Sequence, residues 1–142
     1  LRLLTIRPRG SAELSRALAQ RGFTPAATSE ALERLTREGL LDDLAAARSA
    51  VRGRGARYGR ARIERELKAR GFPRETIAEA VAAEGGASRE EEALRATFRR
   101  LWKARQHLAP PLRRRKVFDA LTRRGFPAEK ISEIIRGGHE ID

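Results

Sequence analysis

The sequence contains no cysteine and no methionine. Without thiols there is no disulfide framework, no cysteine nucleophile and no thiolate metal site. Aromatic side chains are scarce: five Phe, Tyr58 and Trp102 in 142 residues. A large aromatic core is excluded, and Leu, Ala, Ile and Val must do the packing. No apolar run approaches the roughly 20 residues of a membrane-spanning helix, and no signal-peptide core is present. A soluble, cytoplasmic protein with no membrane partner is expected. The phosphate-loop pattern, the dinucleotide Gly-x-Gly-x-x-Gly pattern, His-Glu-x-x-His and Gly-x-Ser-x-Gly are all missing, so neither a cofactor nor a metal nor an enzyme activity is expected. The chain begins at Leu1, which leads us to expect a start, and a further segment, upstream.

What is abundant is positive charge. Lys and Arg number 31 against 19 Asp and Glu, giving a net charge of +12. Only Lys68, Lys103, Lys116 and Lys130 are lysines; the rest is arginine, whose planar fork fits phosphates and carboxylates. Residues 1–50 carry a net +2, residues 51–105 a net +7 and residues 106–142 a net +3. A polyanionic partner is one explanation. A compositional bias toward arginine is the other for the Arg-to-Lys ratio, though it accounts less well for the scarcity of acids.

The chain also repeats itself. Arg-Gly-Phe occurs at 21–23, 70–72 and 124–126. Eight residues before each glycine stand Leu14, Ile63 and Val117; four before it stand Leu18, Leu67 and Leu121. Ten after it stand Leu32, Val81 and Ile135. Apolar residues four apart ahead of a glycine describe a helix stopped by a left-handed residue, with the following Phe folded back on the last turn. Pro25, Pro73 and Pro127 then start a second helix, where the missing N–H costs nothing. A third helix precedes each pair. In the last unit it spans about 89–107, with Ser88 and Glu91 as a capping box and Leu94, Phe98, Leu101 and Trp102 as its apolar stripe. In the middle unit it spans about 43–52, started by Asp42 or Asp43, and in the first only residues 1–7 remain of it. No strand pattern competes. The expected fold is all-α, about nine helices in an elongated, curved array of three tandem three-helix repeats. Their expected limits are 1–39, 40–84 and 85–142. The Gly-rich loop at 53–59 is the softest connection.

Two basic segments stand out as candidate contact sites. Arg52, Arg54, Arg57, Arg60 and Arg62 lie in or beside the Gly-rich loop and open the next helix, where backbone amides and guanidinium groups suit phosphate oxygens. Tyr58 among them either stacks on a base or packs. Glu64 and Lys68, and Glu66 and Arg70, are spaced to pair internally, so a merely solvated face is the competing reading. Arg113, Arg114, Arg115 and Lys116 open another helix, where their charge opposes the dipole, a small penalty that an external anion would remove. Asp42 and Asp43 form the one paired carboxylate ahead of a helix; N-capping and Mg²⁺ binding are the two readings, and diverging directions favour capping. His107 and His139 lack carboxylate partners at ligand spacing.

With these motifs laid out, the chain resembles the RecX family. Arg37-Glu-Gly-Leu-Leu-Asp-Asp43 resembles its Gly-hydrophobic-hydrophobic-Asp-Asp signature, and the run from Gly59 to Gly71 resembles its Gly-x-x-Arg-Ile-x-x-Glu-Leu-x-x-x-Gly signature. Ser11-Ala-Glu-Leu14 with Gly22-Phe23, and Arg124-Gly-Phe126 with Ile131 and Ile135, resemble the opening and closing units. One departure is Leu44-Ala-Ala-Ala47, where the family commonly carries an aromatic. The resemblance implies tandem three-helix repeats and a modulator of the RecA recombinase in homologous recombination, DNA repair and the SOS response; a self-contained repeat array makes a monomer the default expectation. Such a protein binds RecA, lodges in the groove of the RecA–DNA filament and inhibits filament growth, ATP hydrolysis, strand exchange and co-protease activity. Many members also bind single- or double-stranded DNA. A helix-turn-helix or sequence-independent DNA-binding protein is the alternative, although no helix here presents an evident set of base-reading side chains.

Overall fold

The structure, a computed structural model, describes residues 10–138. Among these there are eight α-helices and no strand: α1 Ser11–Gln20, α2 Pro25–Arg37, α3 Asp43–Arg54, α4 Arg60–Ala69, α5 Arg74–Ala83, α6 Gly86–Ala104, α7 Pro110–Arg123 and α8 Ala128–Gly138. The helix expected over 1–7, and His139, lie outside the described residues.

The Arg-Gly-Phe motif does the same work three times. Gly22, Gly71 and Gly125 have φ of 92°, 93° and 88°, the left-handed region that suits glycine. The N–H groups of Phe23, Phe72 and Phe126 donate to the carbonyls of Leu18, Leu67 and Leu121, five residues back. This closes the helix ends and turns the chain into the next helix. Of the apolar positions counted from the glycine all go inside except Leu18 and Leu32, which are half-buried. Leu14, Ile63 and Val117 are buried, as are Leu67, Leu121, Val81 and Ile135. Phe72 and Phe126 are buried, whereas Phe23 stays 49% exposed. Pro25 is the first residue of α2 with Thr24 as its cap, while Pro73 is itself the N-cap of α5.

The chain divides into two compact units that cross the repeat order. One holds the described residues up to Val51 together with Arg65–Glu84; the other holds Arg52–Glu64 and the described residues from Gly85 onward. In the first unit, Leu14, Leu41, Ala46, Ala47, Val51, Leu67, Phe72, Ile77, Ala80 and Val81 are buried. Ala46 and Ala47, within the departure at 44–47, lie in the interior of this unit. In the second unit α6, α7 and α8 pack on one another. Their core is Ala93, Leu94, Phe98, Trp102, Val117, Leu121, Phe126, Ile131 and Ile135. Phe98 and Trp102 stack with ring centroids 5.4 Å apart.

Three local expectations are corrected. Ser88 does not cap α6: the helix begins at Gly86 behind Gly85, whose φ of 103° sets the entry, and Glu91 pairs with Arg95 at 3.1 Å. The same helix ends at Ala104, so His107 sits in the turn that follows. The Gly-rich loop is shorter than expected, because α3 continues through Gly53 to Arg54, and it is tied down. Arg89 donates to the carbonyls of Gly55 and, at 3.4 Å, Tyr58, while the Gly59 N–H donates to the Arg124 carbonyl at 2.7 Å.

Candidate functional site

Asp42 and Asp43 are both committed to helix starts. Asp42 accepts from the Ala45 N–H at 3.1 Å and so caps α3. Asp43 accepts from the backbone N–H of Ser11 at 2.6 Å and from its hydroxyl at 2.8 Å, so it caps α1 from 32 residues away. Gly10, the N-cap of α1, has no side chain for that task. Diverging carboxylates at adjacent positions thus serve two different helices. Among the described residues no group of three metal-ligating side chains comes together. None of the helices there is long and apolar enough to cross a membrane.

The basic residues are collected by the fold. Arg52, Arg54, Arg57, Arg60 and Arg62 belong to the second unit, as do Arg113, Arg114, Arg115 and Lys116. Over its described residues that unit carries 19 Lys and Arg against 7 Asp and Glu, a net +12. Over its described residues the first unit carries 9 against 10, a net −1; with the chain ends included the two units carry +10 and +2, the cationic one again the former. Chain order spreads the surplus over the middle and last thirds of the sequence. Folding separates one strongly cationic body from one that is nearly neutral.

Within the cationic unit the arginines have different tasks. Arg52, Arg57, Arg114, Arg115 and Lys116 are exposed. Arg60 donates to Glu64 at 2.6 Å, and its backbone N–H donates to Glu90. The Glu64 hydrogen bond, and next the Glu64 charge, hold the Arg60 guanidinium above its ordinary pKa. Arg113 lies 3.9 Å over the Trp102 ring and donates to the Trp102 carbonyl at 2.6 and 3.0 Å. That residue therefore anchors the start of α7 to the end of α6. Arg89 is drawn inward to hold the loop; burial pushes its pKa down, yet an arginine so lowered keeps its proton at neutral pH.

Tyr58 is the centre of the loop cluster. The guanidinium carbons of Arg54, Arg62 and Arg124 stand 4.1, 4.3 and 5.5 Å from its ring centroid. Each such contact contributes about 0.5–2 kcal/mol. Beside this ring opens a cleft of about 290 Å³, lined by Arg62, Arg105, Arg123 and Arg124 over an apolar floor of Leu101 and Ala120. Among the described residues no carboxylate lines it. Sequence reasoning singled out Arg62 but missed Arg105, Arg123 and Arg124. The sequence carries a signal for the last, since Arg124 begins the third Arg-Gly-Phe motif.

The internal repeat gives this cleft a control. In the first unit, Glu13 stands nine residues before Gly22, and Arg70 stands directly before Gly71. The two pair at 2.6 Å, with Glu13 buried. In the second unit the corresponding places hold Arg62, nine before Gly71, and Arg124, directly before Gly125. A carboxylate–guanidinium pair in one unit is two guanidinium groups beside a tyrosine in the other.

Comparison with known proteins agrees with this repeat architecture. Three family profiles match in succession: "RecX, first three-helix domain" over residues 1–35, "RecX, second three-helix domain" over 42–81 and "RecX, third three-helix domain" over 89–135. Regulatory protein RecX of Xanthomonas axonopodis pv. citri is 39% identical over 137 residues, covering 96% of this chain and 83% of its own. Regulatory protein RecX of Pseudomonas fluorescens is 42% identical over 137 residues, covering 95% and 86%. The crystal structure of RecX from Lactobacillus salivarius superposes with a TM-score of 0.81 at 21% identity, covering 96% of this chain and 89% of that one. By its three domains and by these relatives, the chain belongs to the RecX family of regulatory proteins.

Proposed function

We propose that this protein binds the RecA recombinase and its filament on DNA and inhibits filament extension, ATP hydrolysis, strand exchange and co-protease activity. The observation that carries the proposal is the segregation of charge, which over the full sequence is +10 in one unit against +2 in the other. A nucleoprotein filament offers both a polyanion and a repeating protein surface. A chain with one cationic and one near-neutral body suits such a composite target. The cationic unit contacts filament DNA through Arg52, Arg57, Arg60, Arg114, Arg115 and Lys116, with Arg54, Arg62 and Arg113 positioning their neighbours. The other unit contacts protein. Several weak contacts on one array multiply in affinity. The protein acts by occupancy, as a cytoplasmic monomer without covalent chemistry, and its functional repeats divide at 1–39, 40–84 and 85–142.

Direct DNA binding, to single or double strands, is sequence-independent in this account, because arginine on phosphate positions without specifying bases. A purified pull-down with RecA, with and without single-stranded DNA, tests the partner. Retention of RecA in both arms, stronger with DNA, is expected. Retention of DNA alone would turn the assignment to a plain DNA-binding protein.

A further inference from the structure

We propose that the cleft beside Tyr58 is a subsite for one backbone phosphate of single-stranded nucleic acid, with Arg105 and Arg123 as its ligating residues. It rests on the regulator reading only in the choice of a nucleic acid as ligand.

Three observations carry the inference. First, among the described residues the cleft is lined by four guanidinium groups and no carboxylate. The place nine residues before the motif glycine holds Glu13 in the first copy, Arg62 in the second and Lys116 in the third, so only the first copy supplies a carboxylate there. Second, Arg124 is fixed by its neighbours, donating to the Arg57 carbonyl at 3.2 Å and standing over the Tyr58 ring. Arg62 is fixed likewise, donating to the Arg123 carbonyl at 3.2 Å. Pre-oriented forks bind a tetrahedral anion with less ordering cost than flexible ones. Arg105 and Arg123 complete the cleft rim, and neither side chain takes part in an ion pair or hydrogen bond among the described residues. Third, guanidinium groups already occupy the neighbourhood of the Tyr58 ring at 4.1 and 4.3 Å. A base stacking on that ring would have to displace one. The site therefore takes phosphate and leaves the base outside, which makes it indifferent to sequence. A volume of about 290 Å³ holds a phosphodiester group, being just under the span of pockets for drug-sized ligands. The exposed bases of α7 on the same unit continue the field toward a charged chain longer than one group.

The test uses the full chain and a short fluorescent oligothymidylate, with affinity measured against salt concentration. The variant Arg105→Gln/Arg123→Gln is compared with a control of equal charge loss on the other unit, Arg21→Gln/Arg37→Gln. All four side chains are at least partly exposed, and helicity by circular dichroism is matched first. Loss of one phosphate contact lowers the slope of log K against log salt by about 0.7. It weakens binding about tenfold, as expected for a charge-assisted hydrogen bond. The control should keep the wild-type slope. Equal losses in both variants would overturn the subsite in favour of a diffuse field. Competition by polyglutamate as strong as by oligothymidylate at equal charge would overturn phosphate in favour of an acidic protein surface. If the wild type binds no oligothymidylate yet inhibits RecA ATPase, the phosphate assignment falls and the regulator reading stands. If the slopes behave as expected and RecA ATPase is untouched, the subsite stands and the regulator reading falls.

Discussion

Changing each motif glycine to alanine gives a graded series, because the same local conformation meets three different surroundings. Gly22, Gly71 and Gly125 share φ near 90°, so each Ala variant bears the left-handed strain of about 1–2 kcal/mol. At Gly22 an added methyl group meets nothing within 4 Å. Part of its strain is offset by a less flexible unfolded chain, leaving about 1 kcal/mol. At Gly71 the methyl would stand 2.6 Å from the Ala12 side chain, which has no rotamer to yield. Overpacking adds about 1–3 kcal/mol. At Gly125 it would stand 2.6 Å from the backbone nitrogen of Arg62, in the first turn of α4. The shift needed there also strains the hydrogen bond from the Gly59 N–H to the Arg124 carbonyl, worth about 1 kcal/mol. The expected losses are therefore about 1 kcal/mol for Gly22→Ala, about 2–4 for Gly71→Ala and about 3–5 for Gly125→Ala. Urea unfolding followed by circular dichroism measures them. Trp102, buried in the second unit and the sole tryptophan, reports Gly125→Ala by fluorescence. A Gly125→Ala loss no larger than that of Gly22→Ala would refute the close approach of the third motif to α4.

The remaining predictions concern charge and capping. Glu13→Gln breaks the largely buried pair with Arg70 and should cost about 2–3 kcal/mol in urea unfolding, at the lower edge for buried pairs because Arg70 retains 23% exposure; no measurable loss would mean that the pair does not hold the first unit together. Asp42→Ala and Asp43→Ala should each cost about 1–2 kcal/mol as lost caps while leaving RecA inhibition at saturating protein unchanged; abolished inhibition in a folded variant would return these carboxylates to the functional site. Tyr58→Phe should be neutral, whereas Tyr58→Ala should lose about 1–3 kcal/mol and loosen Arg54, Arg62 and Arg124, as read by thermal unfolding; equal behaviour would remove the ring face from the account. Arg113→Ala should lower the unfolding midpoint, while Arg114→Ala/Arg115→Ala should leave it in place and weaken oligothymidylate binding; the reverse pattern would interchange their assigned tasks.

Much of this fold is legible in the sequence because its decisive signals are local. A left-handed glycine, an apolar residue four before it and a proline soon after it lie within one short window, and all three copies fold as that window implies. The start of α6 escapes the same logic, because Ser88 satisfies the capping pattern while Gly85 and Gly86 set the backbone. Asp43 escapes it too. Its partner is Ser11, and nothing in the sequence near either residue announces a cap supplied from another helix. The cleft was the least legible feature. Arg62, Arg105 and Arg124 are far apart along the chain and come together only because Arg52–Glu64 joins the unit formed by the last three helices. The three-way grip on Tyr58 is a matter of side-chain direction, which spacing alone does not give.

On the proposed function, the cationic unit obstructs a recombinase filament by occupying it. RecA ATPase on single-stranded DNA, measured against rising amounts of this protein at low and at high salt, tests it most directly. Inhibition that saturates is expected, with a half-inhibiting concentration that rises steeply with salt. Charge reversal of Arg57, Arg60 and Arg62 together, in a variant of unchanged helicity, should raise it further. Inhibition independent of salt and untouched by that reversal, or no inhibition at all, would contradict it.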